Sequence, residues 1–315
     1  MDTNFLEPRF VDVEYSDAER VPEEWMEARP AEVGLEETVY LKLCRIVVLA
    51  AVFLVPLFFL PWTTSVLEFN KQILLIGLSG AALILWLLHV VVSGRFLWRP
   101  NSVDAAVASV LAASVLATLF SLARFKSLFG LTGSLSESLV AVITFSIFYF
   151  AAVHSFEDGG KSIKKAMLLS VGLALAYGIL QIFGFHIFKY LNISALKFTE
   201  TGAFNSVGSV NSLGLLGAAA LPMFYRFGSS DKAYAYLGKL GSLAALVLLV
   251  VLNWWPLWVA AIAGMAGLIA LESLGGRQSV ETEKKFRLAR FIFPMTVIVL
   301  GVFLTIINLN LAGLK

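Results

Sequence analysis

The chain is 315 residues long, 58% hydrophobic and 15% charged, with a formal net charge of +2 and a mean hydropathy of +0.82. Soluble domains carry about 25% charged residues, so a soluble globular fold is excluded, and no basic surface marks the chain for nucleic acid. The composition points instead to an all-α, polytopic transmembrane bundle with the lipid bilayer as its partner.

Three facts support that fold class. A helix crosses the hydrocarbon with roughly 20 apolar residues. Only helices and closed barrels satisfy their backbone there. The apolar runs are continuous and lack the period-2 alternation of barrel strands.

In chain order, the first feature is a tail. Residues 1–37 hold 12 of the 22 acidic residues against three basic ones, Arg9, Arg20 and Arg29. This composition reads as a disordered, solvated segment, with docking of a partner as the alternative. It is not built as a signal peptide, which opens with a basic stretch followed closely by an apolar one. The expected division is an acidic tail over 1–43 and a transmembrane helical domain over 44–315. The single cysteine, Cys44, excludes an intramolecular disulfide; it reads as a small apolar residue, with lipidation as the alternative.

Nine spans follow, at about 44–61, 71–93, 103–121, 138–155, 166–184, 206–224, 238–252, 256–271 and 291–308. A tight NWWP turn, Asn253 to Pro256, separates the seventh and eighth. With the N-terminus inside, fifteen Lys and Arg residues fall in or near inner connections and six near outer ones, as the positive-inside rule requires. The C-terminus is then outside. Trp62, Trp98, Trp254 and Trp255 fall near predicted interfaces. The mixed-charge connection 272–290 reads as a solvated cytoplasmic loop, with a partner or lipid headgroup contact as the alternative.

The spans hold almost no full charges, which argues against a proton relay or a voltage sensor. His, Cys, Asp and Glu are nowhere spaced for a metal site, and no cofactor motif is present. His89 and His154 lie near inner span ends and His186 faces outward; each reads as an interfacial histidine. The outer cations are more informative. Arg124 and Lys126 stand in LFSLARFKSLFGLTGSLSESL, Leu119 to Leu139, a Gly- and Ser-rich connection whose backbone N–H groups and cations suit a phosphate. Lys71, in EFNK, sits at the outer mouth of the second span. The competing reading for all three is snorkelling to ordinary headgroups.

The sixth span begins with an unusual run, FNSVGSVNSLGLLGAAALP, Phe204 to Pro222. Asn205, Gly208, Ser209 and Ser212 are spaced i, i+3, i+4 and i+7, one face of a helix. Asn211, Gly214 and Ala218 form an adjoining small face. Small residues permit close helix approach and Asn or Ser bond across, for about 1–2 kcal/mol at best. Two amides at this depth also suit a polar, ligand-facing cavity.

This stretch resembles the Gly- and Asn-rich span of the O-antigen ligase and polymerase superfamily, which reads F-G-N-x-N-x-L-G before a small-residue run ending in L-P. The segment Pro61 to Lys71, ending in EFNK, is similar to the opening of that family's second span. The loop with SLFG at Ser127 to Gly130 is similar to its loop after the third. The resemblance covers about residues 44–271. It implies a metal-independent glycosyltransferase, without cofactor, that acts at the outer face of the bacterial inner membrane on a glycan linked to undecaprenyl diphosphate. Lys71, Arg124 and Lys126 would then contact the diphosphate, and Asn205 and Asn211 would line the carrier or sugar cavity. The family also carries a long outer loop with Arg and His after the ninth span. This sequence stops at Lys315, so the resemblance implies the N-terminal portion of such a protein, as a fragment or as a short relative; its catalytic residues stay unassigned. A Ser-Arg pair common at the family's eighth span is replaced here by NWWPLW. Two readings from other classes stand beside it: a transporter or flippase, and a membrane scaffold recruiting partners through the acidic tail.

Overall fold

The computed structural model describes residues 38–60, 68–96, 101–130, 135–191, 194–200, 204–227, 232–275 and 284–313. The acidic segment 1–37, Trp62, Trp98 and residues 276–283 of the mixed-charge connection lie outside them. Every regular element among the described residues is helical. There are ten α-helices: α1 (Val39–Leu57), α2 (Glu68–Ser93), α3 (Asp104–Leu119), α4 (Arg124–Phe129), α5 (Leu139–Ser155), α6 (Lys161–Ile182), α7 (Val210–Phe227), α8 (Lys232–Leu252), α9 (Trp255–Gly275) and α10 (Lys284–Gly313). Two 3₁₀ turns, Ile187–Leu191 and Ser194–Glu200, lie between α6 and α7.

Nine of these helices correspond to the nine predicted spans. Six of them (α1, α2, α6, α8, α9 and α10) are long and apolar enough to cross a bilayer, and α3 and α5 are shorter apolar helices. The helix expected from residue 206 begins at Val210 instead. The short α4 and the two 3₁₀ turns fall in stretches read as connections.

Local chemistry sets several boundaries. Thr38 caps α1 by accepting from Leu41 N (3.3 Å), and Ser138 caps α5 by accepting from Ala141 N (3.2 Å); such side chains satisfy donors that the first turn leaves unpaired. The Asn253–Trp254 link between α8 and α9 is two residues long, with Asn253 at φ 40°, a left-handed conformation that Asn tolerates better than most residues.

Hydrogen bonds between helices fix their directions. Thr38 Oγ1 at the start of α1 lies 2.7 Å from His89 Nδ1 near the end of α2. Arg45 Nε, early in α1, donates to Ser155 O at the end of α5 (2.6 Å). Lys71, early in α2, reaches the carbonyl of Pro56 at the end of α1. Both α2 and α5 therefore run antiparallel to α1. One end of the bundle gathers the end of α1, the starts of α2, α5 and α7, and the end of α6; it is called here the Lys71 end.

Packing falls into two clusters. Cys44 and Val48 of α1, Ala82 of α2 and Ala151 of α5 form the smaller one. The larger joins α6 to α10 around Trp258, Phe224, Leu213, Leu248 and Met265. Glycines bring these helices together: a Cβ at Gly178 would lie 2.1 Å from Leu213, one at Gly214 2.6 Å from Leu257, and one at Gly241 2.4 Å from Phe224. In lipid, association rests on such close contact rather than on water exclusion. Outside these seams Leu, Val, Ile and Phe side chains are exposed along the long helices, the surface an acyl-chain solvent requires.

Candidate functional site

The polar run before α7 resolves into two local motifs and a buried amide. Ser209 caps α7, its Oγ accepting from Ser212 N (3.1 Å) while its carbonyl accepts from Leu213 N (3.0 Å). Asn205 Oδ1 accepts from both Val207 N and Gly208 N (2.9 Å each), folding the segment into a side-chain-closed turn. Gly208 takes φ +154°, a region essentially closed to residues with a Cβ. Residues 204–209 therefore approach α7 as non-helical backbone, and the four residues that share a helical spacing do not share a helical face. Gly214 and Ala218 are buried in α7, whereas Asn211 is exposed.

Non-helical backbone at membrane depth needs its carbonyls satisfied. Lys71 does this. Its Nζ donates to Val207 O (3.2 Å), to Pro56 O (3.4 Å) and to Ser206 O. The ammonium has three N–H bonds, and three carbonyls surround it. Lys71 thus points into the bundle and ties α1, α2 and the entry to α7 together.

Asn205 is 1% exposed and Ser206 3%. Asn205 Nδ2 and Ser206 Oγ are buried without a hydrogen-bond partner among the described residues. Each unmade bond of this kind costs about 1–3 kcal/mol, so a polar ligand group that reached them would be bound favourably.

An aromatic cap covers this segment. Phe204 packs edge-on against Phe59 (5.4 Å), Phe198 (5.2 Å) and Tyr177 (6.4 Å), and Phe188 joins Phe59 to Tyr177. Beside it, buried Gln181 donates from Nε2 to Thr199 O (2.7 Å) and to the Tyr177 hydroxyl oxygen (3.1 Å). Its Oε1 is then the acceptor toward His186 Nδ1 (2.7 Å), which puts the imidazole proton on Nδ1. Tyr177, Gln181 and the phenylalanines that meet Phe204 carried no local sequence signal, because their meaning lies in partners far along the chain.

Arg124 and Lys126 belong to α4 at the same end of the bundle and are exposed. The connection that follows reaches α2: Leu135 N donates to Gln72 Oε1 (2.8 Å) and Ser136 Oγ to Glu68 Oε1 (3.3 Å). The structure therefore joins Lys71 to the Asn205 segment through hydrogen bonds, while Arg124 and Lys126 stand on the surface of the same end. Among the described residues no group of three or more His, Cys, Asp or Glu is placed to hold a metal ion.

Long apolar helices around this one polar, capped end define a polytopic, integral membrane protein of the helical class. Beyond that class, comparison adds no relative: no protein-family model, no curated protein and no solved structure matches the chain.

Proposed function

We propose that the chain is the membrane body of a protein that handles a lipid-linked glycan at the outer leaflet of a bacterial inner membrane, with its N-terminus in the cytoplasm and the Lys71 end outside. The observation that carries this reading is Asn205. Its amide is buried, has a donor group left over, and is held in place by its own turn and by the Lys71 clamp. The O-antigen ligase and polymerase resemblance is the sequence support for the same reading.

In this proposal Arg124 and Lys126 are the diphosphate contacts. A diphosphate leaves readily when cations stabilise its developing charge, and these two are exposed at the end where the carrier headgroup would lie. Lys71 is a positioning residue, since its ammonium is committed to carbonyls. Asn205 and Ser206 offer donors to a sugar or phosphate oxygen. Asn211, exposed in the first turn of α7, is the further sugar or carrier contact in this reading.

Binding of undecaprenyl diphosphate to the purified chain tests this reading. The double variant Arg124→Ala plus Lys126→Ala removes two exposed side chains and should weaken binding at least tenfold with the fold unchanged; undiminished binding would count against it. Sidedness is tested separately. Cys44 is fully buried, so a Leu122→Cys variant should react with an impermeant thiol reagent in right-side-out cells, and a Ser273→Cys variant only after permeabilisation.

One observation favours a transporter as the second reading. The last turn of α1 at Pro56 and the non-helical backbone of residues 206–207 meet at a cation, an arrangement akin to the helix ends that line transporter sites. Movement of a lipid-linked substrate across proteoliposomes without covalent change would favour it.

A further inference from the structure

A groove of about 410 Å³ opens at the opposite end of the bundle from Lys71, between α7, α8 and α10. Its wall is Phe224 and Tyr225 of α7, Leu243 and Leu246 of α8, and Phe293 of α10. The Tyr225 and Phe293 rings stack at 4.9 Å and give it a flat floor. Its polar members, Lys239 and Ser242, both come from α8. Lys239, Leu243 and Leu246 recur at i, i+4 and i+7, so cation and apolar wall share one helical stripe.

The groove opens sideways. Leu240 and Leu243 are well exposed, on a helix long and apolar enough to span, so whatever fills the groove arrives from the bilayer. Its volume lies within the range of about 300–1,000 Å³ typical of small-molecule sites.

Charge names the occupant. Two other cations at this end have partners: Arg226 pairs with Glu272, and Lys165 sits 4.6 Å over the Tyr234 ring. Lys239 has no carboxylate partner among the described residues; its Nζ stands 6.0 Å from the Tyr236 ring. Basic pockets between membrane helices on the cytoplasmic side suit anionic headgroups.

We propose that this groove is a binding site for an anionic phospholipid of the cytoplasmic leaflet, one acyl chain lying against Tyr225, Leu243 and Phe293 and the headgroup phosphate on Lys239. The assignment of leaflet rests on the proposed orientation. The preference for an anionic headgroup does not, nor does it depend on the glycan reading.

The test uses the full chain, purified and stripped of lipid, titrated with phosphatidylglycerol or with phosphatidylcholine and followed by native mass spectrometry and thermal unfolding. Phosphatidylglycerol should bind at least tenfold more tightly than phosphatidylcholine. Lys239→Gln should abolish that preference, Lys239→Arg should restore it, and Leu243→Phe, which fills the groove, should lower binding of both lipids. Equal binding of the two lipids by the unaltered chain would overturn the proposal, as would a preference that survives Lys239→Gln. A dimeric particle split by Leu243→Phe would also overturn it, in favour of a second copy as the occupant.

Discussion

The Lys71 ammonium and the Ser206 carbonyl, 135 residues apart in the chain, are hydrogen-bonded, and the same ammonium serves Val207 and Pro56. One cation thereby stands in for the helical N–H groups that these carbonyls lack. Lys71→Met should lower the stability of the detergent-solubilised protein by roughly 3 kcal/mol, the scale of a lost charge-assisted hydrogen bond with acceptors left buried. Lys71→Arg should recover part of it. Equal melting temperatures for the unaltered protein and Lys71→Met would show that the carbonyls find other donors.

Asn205 separates two roles of one side chain. Its Oδ1 closes the turn at Val207 and Gly208, while its Nδ2 has no partner among the described residues. Asn205→Asp keeps the acceptor and removes the amide donors, and Asn205→Ala removes both. Asn205→Ala should destabilise by about 1–2 kcal/mol, as for a lost cap. Asn205→Asp should melt closer to the unaltered protein yet bind undecaprenyl diphosphate more weakly. Thermal unfolding and binding measured on both variants give the comparison.

The glycines of the bundle are not equivalent. A Cβ at Gly241 would meet the Phe224 ring at 2.4–2.8 Å, whereas one at Gly172 meets nothing within 4 Å. Gly241→Ala should cost about 1–3 kcal/mol through overpacking. Gly172→Ala, in the interior of α6, should be neutral or stabilising by up to about 1 kcal/mol from helix propensity. Paired thermal melts of the two variants decide it.

Asp158, in the connection before α6, accepts from Gly160 N (2.9 Å), Ser162 N (2.7 Å) and Ser162 Oγ (2.5 Å). Partial desolvation pushes its pKa up, but the hydrogen bonds from Ser162, Gly160 and Lys161 outweigh it and hold the carboxyl below its ordinary value. A carboxyl depressed in the folded state stabilises fully above its unfolded pKa of about 3.9. That contribution is lost as pH falls through the folded value. Asp158→Ala should therefore lower the melting temperature at pH 7, and the gap from the unaltered protein should close toward pH 3. A gap independent of pH would assign the loss to something other than the carboxylate.

Much of the fold was legible because apolar runs and breakers are local. The break at Asn253, the end of α2 at Ser93 and the end of α5 at Ser155 follow from hydropathy alone. The entry to α7 was not, and the reason is specific. Asn205, Gly208, Ser209 and Ser212 keep a helical spacing, yet Asn205 bonds its own backbone, Gly208 leaves helical φ, and Ser209 caps the helix that the pattern seemed to start earlier. Periodicity cannot distinguish a polar helix face from a polar cap. The partner of Lys71 was equally hidden: its position at a span mouth suggested headgroups, and only the three-dimensional arrangement brings the 206–207 carbonyls to it. Arg124 and Lys126 are exposed, as their surroundings in sequence implied.

The way α3 is attached has a dynamic consequence. Thr118 is its only buried residue, and its Ser109, Ser114 and Thr118 hydroxyls bond back to carbonyls of α3 itself rather than across to a neighbour. Its side-chain tie to a neighbour is at its start, where the Tyr149 hydroxyl of α5 donates to Asp104 Oδ1 (2.9 Å). By contrast α7 is closely seated: its Leu213 lies over Gly178 of α6, its Phe224 over Gly241 of α8, and Leu257 of α9 over its own Gly214. Amide exchange should therefore run well ahead in α3 of that in α7, the helix with few buried contacts opening locally at lower cost than the one set in the core.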